Sequence, residues 1–205
     1  MKRLFTLTLL AASIFMLPYE ASAQFNFGKL LNSIVGDDDE PTRYEKLADS
    51  APSYDKLLGT WYYSSAKIDY FGDSMVAEYA IDELDDVAQD FLDTYGIEAG
   101  YFKITIKRNG DVVGTMGDES ITGDFIYDKE DAEVDIYVTI MDTQVKCDGY
   151  VEQYNNRMKV YLEADDILSA YKSLGVDYSS SAIDLAKEIV SRFDDIMVAV
   201  TFTRS

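Results

Sequence analysis

From Tyr101 to Lys107 the side chains alternate strictly, with Phe102, Ile104 and Ile106 on one side and Lys103, Thr105 and Lys107 on the other. A period of two marks a half-buried β-strand. Further strand segments follow at short spacing, at 112–116, 121–127, 133–141, 144–152 and 157–163, and segments at 60–68 and 196–203 open and close the set. Val134, Ile136, Val138 and Ile140 form one apolar face, and Met158, Val160 and Leu162 another. Between the segments lie Asp, Lys, Gly and Asn, the residues that turns require. Arg108-Asn109-Gly110-Asp111 joins two of them, and Asn-Gly suits a type I′ hairpin turn, in which both central residues take positive φ. Short connections favour antiparallel neighbours, and eight such strands either curl shut or leave unpaired edges. Pairing of the first strand with the eighth removes the edges. A barrel of that size has room inside for side chains or for one small ligand.

Two interruptions carry a helical period instead. Residues 74–95 place Val76, Ala80, Leu84, Val87, Ala88, Phe91 and Tyr95 at three-to-four spacing, with Gly96 positioned to cap the C-terminus. Asp82, Glu83, Asp85, Asp86 and Asp90 read as the solvated face of this helix. Residues 165–174 form a second helix stopped by Gly175, and a third begins near Ser181, with Asp184 placed for a capping box. The expected fold is mainly β with added helices: an eight-stranded antiparallel barrel, one long helix between strands one and two, and two helices before the last strand.

The N-terminus reads as an export signal. Lys2 and Arg3 precede an apolar run from Leu4 to Leu17, and Ala21-Ser22-Ala23 precedes Gln24 as a small-x-small cleavage site. The run is broken by Pro18 and falls short of the roughly 20 apolar residues a membrane span needs. No Cys lies near the cleavage site to accept a lipid. The expected divisions are a signal peptide at 1–23, an amphipathic and acidic tether at 24–56, and a barrel domain at 57–205. The mature chain is expected to be exported, periplasmic or extracellular, with no transmembrane segment. Asp37-Asp38-Asp39-Glu40-Pro41 gives the tether clustered charge and a proline, both of which disfavour packing.

The chain has 38 acidic and 18 basic residues, a net charge of −20, and that field repels nucleic acid and anionic lipid headgroups. It has no His, so Ser-His and Cys-His nucleophile pairs, imidazole metal ligation and the commonest proton carrier near neutral pH are all missing. Two Ser-x-x-Lys matches, Ser64 to Lys67 and Ser169 to Lys172, lack the companion motifs of penicillin-recognising enzymes. Phosphate loops and EF-hand loops are absent from the sequence, so neither cofactor nor metal is expected and catalysis is not expected. Cys147, the single cysteine, alternates in phase with Val145 and reads as a small buried apolar residue. Asp49-Ser50-Ala51 resembles an O-glycosylation acceptor pattern of some gut bacteria.

Gly59-Thr60-Trp61 resembles the Gly-x-Trp element at the first strand of lipocalins, where the Trp packs across the closed end of the barrel. A longer arrangement carries the resemblance further. It comprises Leu57-Leu58-Gly59-Thr60-Trp61, an acidic helix, Tyr95-Gly96-Ile97 with Gly100, Asn109-Gly110-Asp111, Ile121-Thr122-Gly123 with Tyr127-Asp128, and two late helices before a last strand. Over 57–204 it resembles a lipocalin-like domain family of unknown function in exported proteins of gut-type Gram-negative bacteria. That resemblance implies a lipocalin-like fold and an extracytoplasmic location, and it brings no catalytic residues.

Two functional readings stay open. In the first, a small hydrophobic or amphipathic molecule occupies a cavity lined by Trp61, Tyr63, Phe102, Ile104, Ile136, Val138, Val160 and Phe202. In the second, side chains fill the barrel and the protein is an interaction or structural module of the cell envelope. The second draws on 196–203, which is apolar on both faces and needs cover outside the barrel as well as inside.

Overall fold

The structure is a computed structural model that describes residues 41–204 apart from Tyr95, Met141 and 174–180. The side chains of residues 76, 83, 87, 90, 91, 94, 171 and 181–185 also fall outside the described set. The expected signal peptide, the acidic run at 37–40 and the capping box at Asp184 therefore lie outside it.

Eight strands pair in sequence order, each antiparallel to the next: β1 (Gly59–Tyr70), β2 (Lys103–Ile106), β3 (Asp111–Met116), β4 (Glu119–Asp128), β5 (Glu133–Ile140), β6 (Thr143–Tyr154), β7 (Arg157–Glu163) and β8 (Ile196–Thr203). β8 returns to β1, from Tyr62 opposite Thr203 to Tyr70 opposite Ile196, and the sheet closes as the alternation predicts. The β2–β3 turn differs from the type I′ expectation. Gly110 alone takes positive φ (92°), the Gly110 N–H donates to Lys107 O at 3.1 Å, and the Lys107 N–H donates to Asp111 O at 2.9 Å. This is a type I turn followed by a left-handed glycine, a three-residue loop whose final Gly forms a bulge. Asn109 keeps negative φ and accepts from the Asp111 N–H at 3.3 Å instead.

Closure leaves one gap. β2 is short, so the upper half of β1 has β8 on one side only. Helix α3 (Met75–Thr94) lies along that edge: the Ile68 N–H donates to Asp85 Oδ1 at 2.6 Å, and Gln89 Nε2 donates to Ala66 O at 2.8 Å. Backbone groups away from water must find partners, and here two side chains stand in for a missing strand. Asp85 therefore departs from the expected solvated face. It is half-buried, whereas Asp82 and Asp86 are exposed.

The segment expected to be a tether is folded from Thr42 onward. Thr42 and Glu45 cap each other's backbone N–H groups at the start of α1 (Arg43–Asp49). α1 covers the outer face of β6, β7 and β8, where Leu47, Phe71, Tyr161, Met197 and Ala199 are buried together with Tyr44 and Tyr150 packed on them. Arg43 fixes it in place, with Nη2 at 3.0 Å from Asp69 Oδ2 and the guanidinium 4.8 Å from the Phe71 ring centre. So the outward apolar residues of β8 are covered by α1 of the same chain. A single turn, α2 (Tyr54–Leu57), then leads into β1, held by Tyr54 Oη donating to Lys107 O at 2.9 Å.

The barrel interior is one continuous core. Its lower layers take Trp61, Ile106, Val112, Phe125, Val134, Val151, Met158 and Phe202 from the strands. Its upper layers are joined by Ala77, Ile81 and Leu84 of α3, Ile167 of α4 (Ala164–Ser173), and Ala186 and Ile189 of α5 (Ser181–Val190). The strand order places α3, α4 and α5 at the end away from Trp61, beside β1, β6, β7 and β8.

Candidate functional site

Gly59 enters β1 at φ 109°, a conformation that L side chains rarely adopt, and this sets the Trp two residues later across the barrel's lower end. Trp61 is fully buried. Its Nε1–H donates to Leu57 O at 2.8 Å, so the one polar atom of the ring is satisfied. The Arg204 guanidinium covers the ring at 4.4 Å from its centre and reaches Leu58 O at 3.4 Å. One layer higher, Tyr63 and Phe102 stack at 4.7 Å, and Phe202 meets Phe102 edge-on at 5.6 Å.

Of the eight residues expected to line a cavity, all lie on the inward face, but they separate into two groups. Trp61, Tyr63, Phe102, Val160 and Phe202 are buried in the packed lower and middle interior. Ile104, Ile136 and Val138 are half-buried, with Ile104 opposite Gly114 and Val138 opposite Gly123 and Val145. The same inward phase continues to the far end of β3, β4 and β5 through Met116, Ile121 and Ile140, each also half-buried. These three were not among the expected lining residues. Carrying the alternation of Ile104 and Ile136 to the strand ends would have found them. An apolar, partly accessible wall thus stands on the β3–β5 side of the end remote from Trp61.

Cys147 faces the same interior, opposite Ile136. Burial, with Asp166 and Asp148 nearby, pushes its thiol up to about 12, so it stays protonated and unreactive near neutral pH. Ser50 is exposed, and its hydroxyl donates to Lys46 O at 2.8 Å at the C-terminal end of α1.

Among the described residues, two concavities are found on the outside of the barrel. One, of about 190 Å³, is walled by Tyr44, Phe193, Glu163, Asp165, Asp194 and Asp195. Burial first, then neighbouring carboxylates, hold Glu163 and Asp165 above the usual carboxylate range. The other, of about 330 Å³, is a groove over β4 and β5 containing Asn109, Asp124, Ile126, Tyr137 and Gln144. Among the described residues no group of three or more His, Cys, Asp or Glu is placed to hold a metal, and no helix is long and apolar enough to cross a membrane.

A family model described as "Lipocalin-like domain (DUF4923)" matches residues 42–204. The chain belongs to this family. The match starts at the capping residue of α1 and ends at Arg204 above Trp61, so both outer seals of the barrel lie inside the lipocalin-like domain. No curated protein matches the chain. A solved structure that it resembles, a DUF4847 family protein from Bacteroides vulgatus ATCC 8482, is 14% identical and covers 72% of this chain and 92% of that one at a TM-score of 0.38.

Proposed function

We propose that this lipocalin-like domain is an exported carrier that takes a small hydrophobic or amphipathic molecule into the barrel end opposite Trp61. The observation that carries the reading is the inward wall of Met116, Ile121, Val138 and Ile140, half-buried toward the end remote from Trp61, while Ile104 and Ile136 lie lower, across from Trp61 and Phe125. Apolar side chains left partly accessible on a concave face gain when an apolar guest displaces water. The role is binding: the chain has no His, and its lone thiol is held protonated. The envelope-interaction alternative loses its motive, because α1 already covers Met197 and Ala199.

The test is titration of the mature protein with N-phenyl-1-naphthylamine, a neutral fluorophore that brightens in apolar surroundings. Saturable enhancement is expected, and Val138→Trp, which fills the wall, should weaken it by about tenfold or more while leaving the melting temperature near that of the parent. Absence of saturable binding would remove the carrier role. Export is tested separately by mass spectrometry of the mature N-terminus, expected at Gln24.

A further inference from the structure

Among the described residues, the wall at the end remote from Trp61 lacks full cover on its inward side. Ile121, Val138 and Ile140 are half-buried and belong to neither buried cluster, and Met116 touches the main one from its edge. The chain carries a matching apolar stripe near its start: Phe27, Leu30, Leu31 and Ile34 recur at spacings of three and four, with Phe25 just before them. These residues lie outside the described set, but the place where their chain joins the domain is fixed. Thr42 caps α1, Arg43 Nη2 sits 3.0 Å from Asp69 Oδ2, and Tyr44 Oη donates to Asp195 Oδ1 at 2.6 Å. Asp69 is next to last in β1 and Asp195 immediately precedes β8, so the chain enters at the end remote from Trp61. β3 and β5 run in the same direction as β1, and their last residues, Met116 and Ile140, stand at that same end.

We infer that residues 25–34 dock on this wall as an intrachain plug, so that the segment and an apolar guest compete for one surface. The inference rests on the carrier reading for the guest and adds the regulation of its site. Length allows the contact. From Ile34 to Thr42 the chain can reach about 26 Å. Eight tilted strands about 4.8 Å apart enclose a mouth only about 16 Å across. Asp37-Asp38-Asp39-Glu40 falls in the linking stretch, where its charges can stay in water. The two outer concavities suit the stripe poorly. One is walled by Glu163, Asp165, Asp194 and Asp195, which repel the acidic run, and the other offers a single exposed large apolar side chain, Ile126. A weak contact is enough, because a short tether holds the segment at an effective concentration on the order of 1 mM. With an intrinsic dissociation constant of about 0.25 mM the segment would weaken a guest about fivefold.

The experiment titrates N-phenyl-1-naphthylamine into the chain beginning at Gln24 and into its triple variant Phe27→Ser, Leu31→Ser, Ile34→Ser, whose changes touch none of the described core. The variant is expected to half-saturate at about one fifth of the probe concentration that the parent needs. A second measurement reads the contact without a guest. The photocrosslinking residue p-benzoylphenylalanine replaces Leu31, and irradiation at low protein concentration is expected to join it to residues 112–140 of the same chain. Equal probe affinity in parent and triple variant overturns the competition and leaves the carrier role standing. Cross-links that miss residues 112–140, or that join two chains, overturn the docking of this segment on the wall. Probe binding by neither chain removes the carrier role, and the competition with it.

Discussion

Trp61 shows how much one residue can settle at the closed end. Its ring fills the lower interior, its N–H satisfies Leu57, and its outer face seats Arg204. Trp61→Phe removes the donor, shrinks the ring and leaves Leu57 O without that partner, so unfolding in urea should show a loss of about 2–4 kcal/mol. Gly149 is constrained in another way, because a Cβ there would fall on the Tyr161 carbonyl oxygen, a backbone atom that cannot swing aside. Cys147 gives a chemical readout of the same packing. With its thiol pushed up to about 12, iodoacetamide at about pH 8 should label it far more slowly in the native protein than after denaturation. Fast native labelling would mean that the β5–β6 wall opens.

At the scale of elements, the strands were legible and the seals were not. Alternation located all eight strands to within a few residues, because half-buried strands write their environment into a period of two. β2 starts later than its alternation, since Tyr101 and Phe102 precede the ladder. Nothing local in the sequence marked Asp85 for a backbone N–H on another element; its neighbours Asp82 and Asp86 are solvated, and only the tertiary gap beside β1 separates it from them. Asp85→Ala strips the Ile68 amide of its acceptor and should cost about 1–3 kcal/mol, whereas Asp85→Asn keeps an oxygen there and should cost less. Amide hydrogen exchange at Ile68 is the specific check, faster in the Ala variant than in the Asn one. α1 was hidden behind the acidic run before it, although Thr42-Arg43-Tyr44-Glu45 spells a capping box. In the candidate site the inward face was readable from parity, but parity cannot tell a packed layer from an accessible one. That distinction depends on where α3, α4 and α5 settle.

For the whole molecule the governing quantity is the excess of carboxylates. Burial, the largest cause in each case, raises Asp85, Glu163 and Asp165, so the fold binds their protons more tightly than the unfolded chain does. A raised group contributes stability that is complete below its unfolded pKa and is lost as pH climbs through its folded pKa. Lowering the pH also relieves the repulsion of a chain at −20. The melting temperature should therefore be higher at about pH 5 than at about pH 8, and about 1 M NaCl, which shortens the screening length to about 3 Å, should narrow the difference. A second decline belongs to alkaline pH. Burial pushes Tyr127, Tyr150 and Tyr161 up to about 12, so the native state holds protons that an unfolded chain begins to shed near about pH 10. The wall that closes the barrel joins Tyr62 to Thr203, positions at opposite ends of the domain. During synthesis, then, the sheet can grow strand by strand yet must keep two raw margins until the eight residues of β8 arrive. The vulnerable species of this protein is that open sheet, one strand short, and chaperones that shield exposed edges would matter most in that interval.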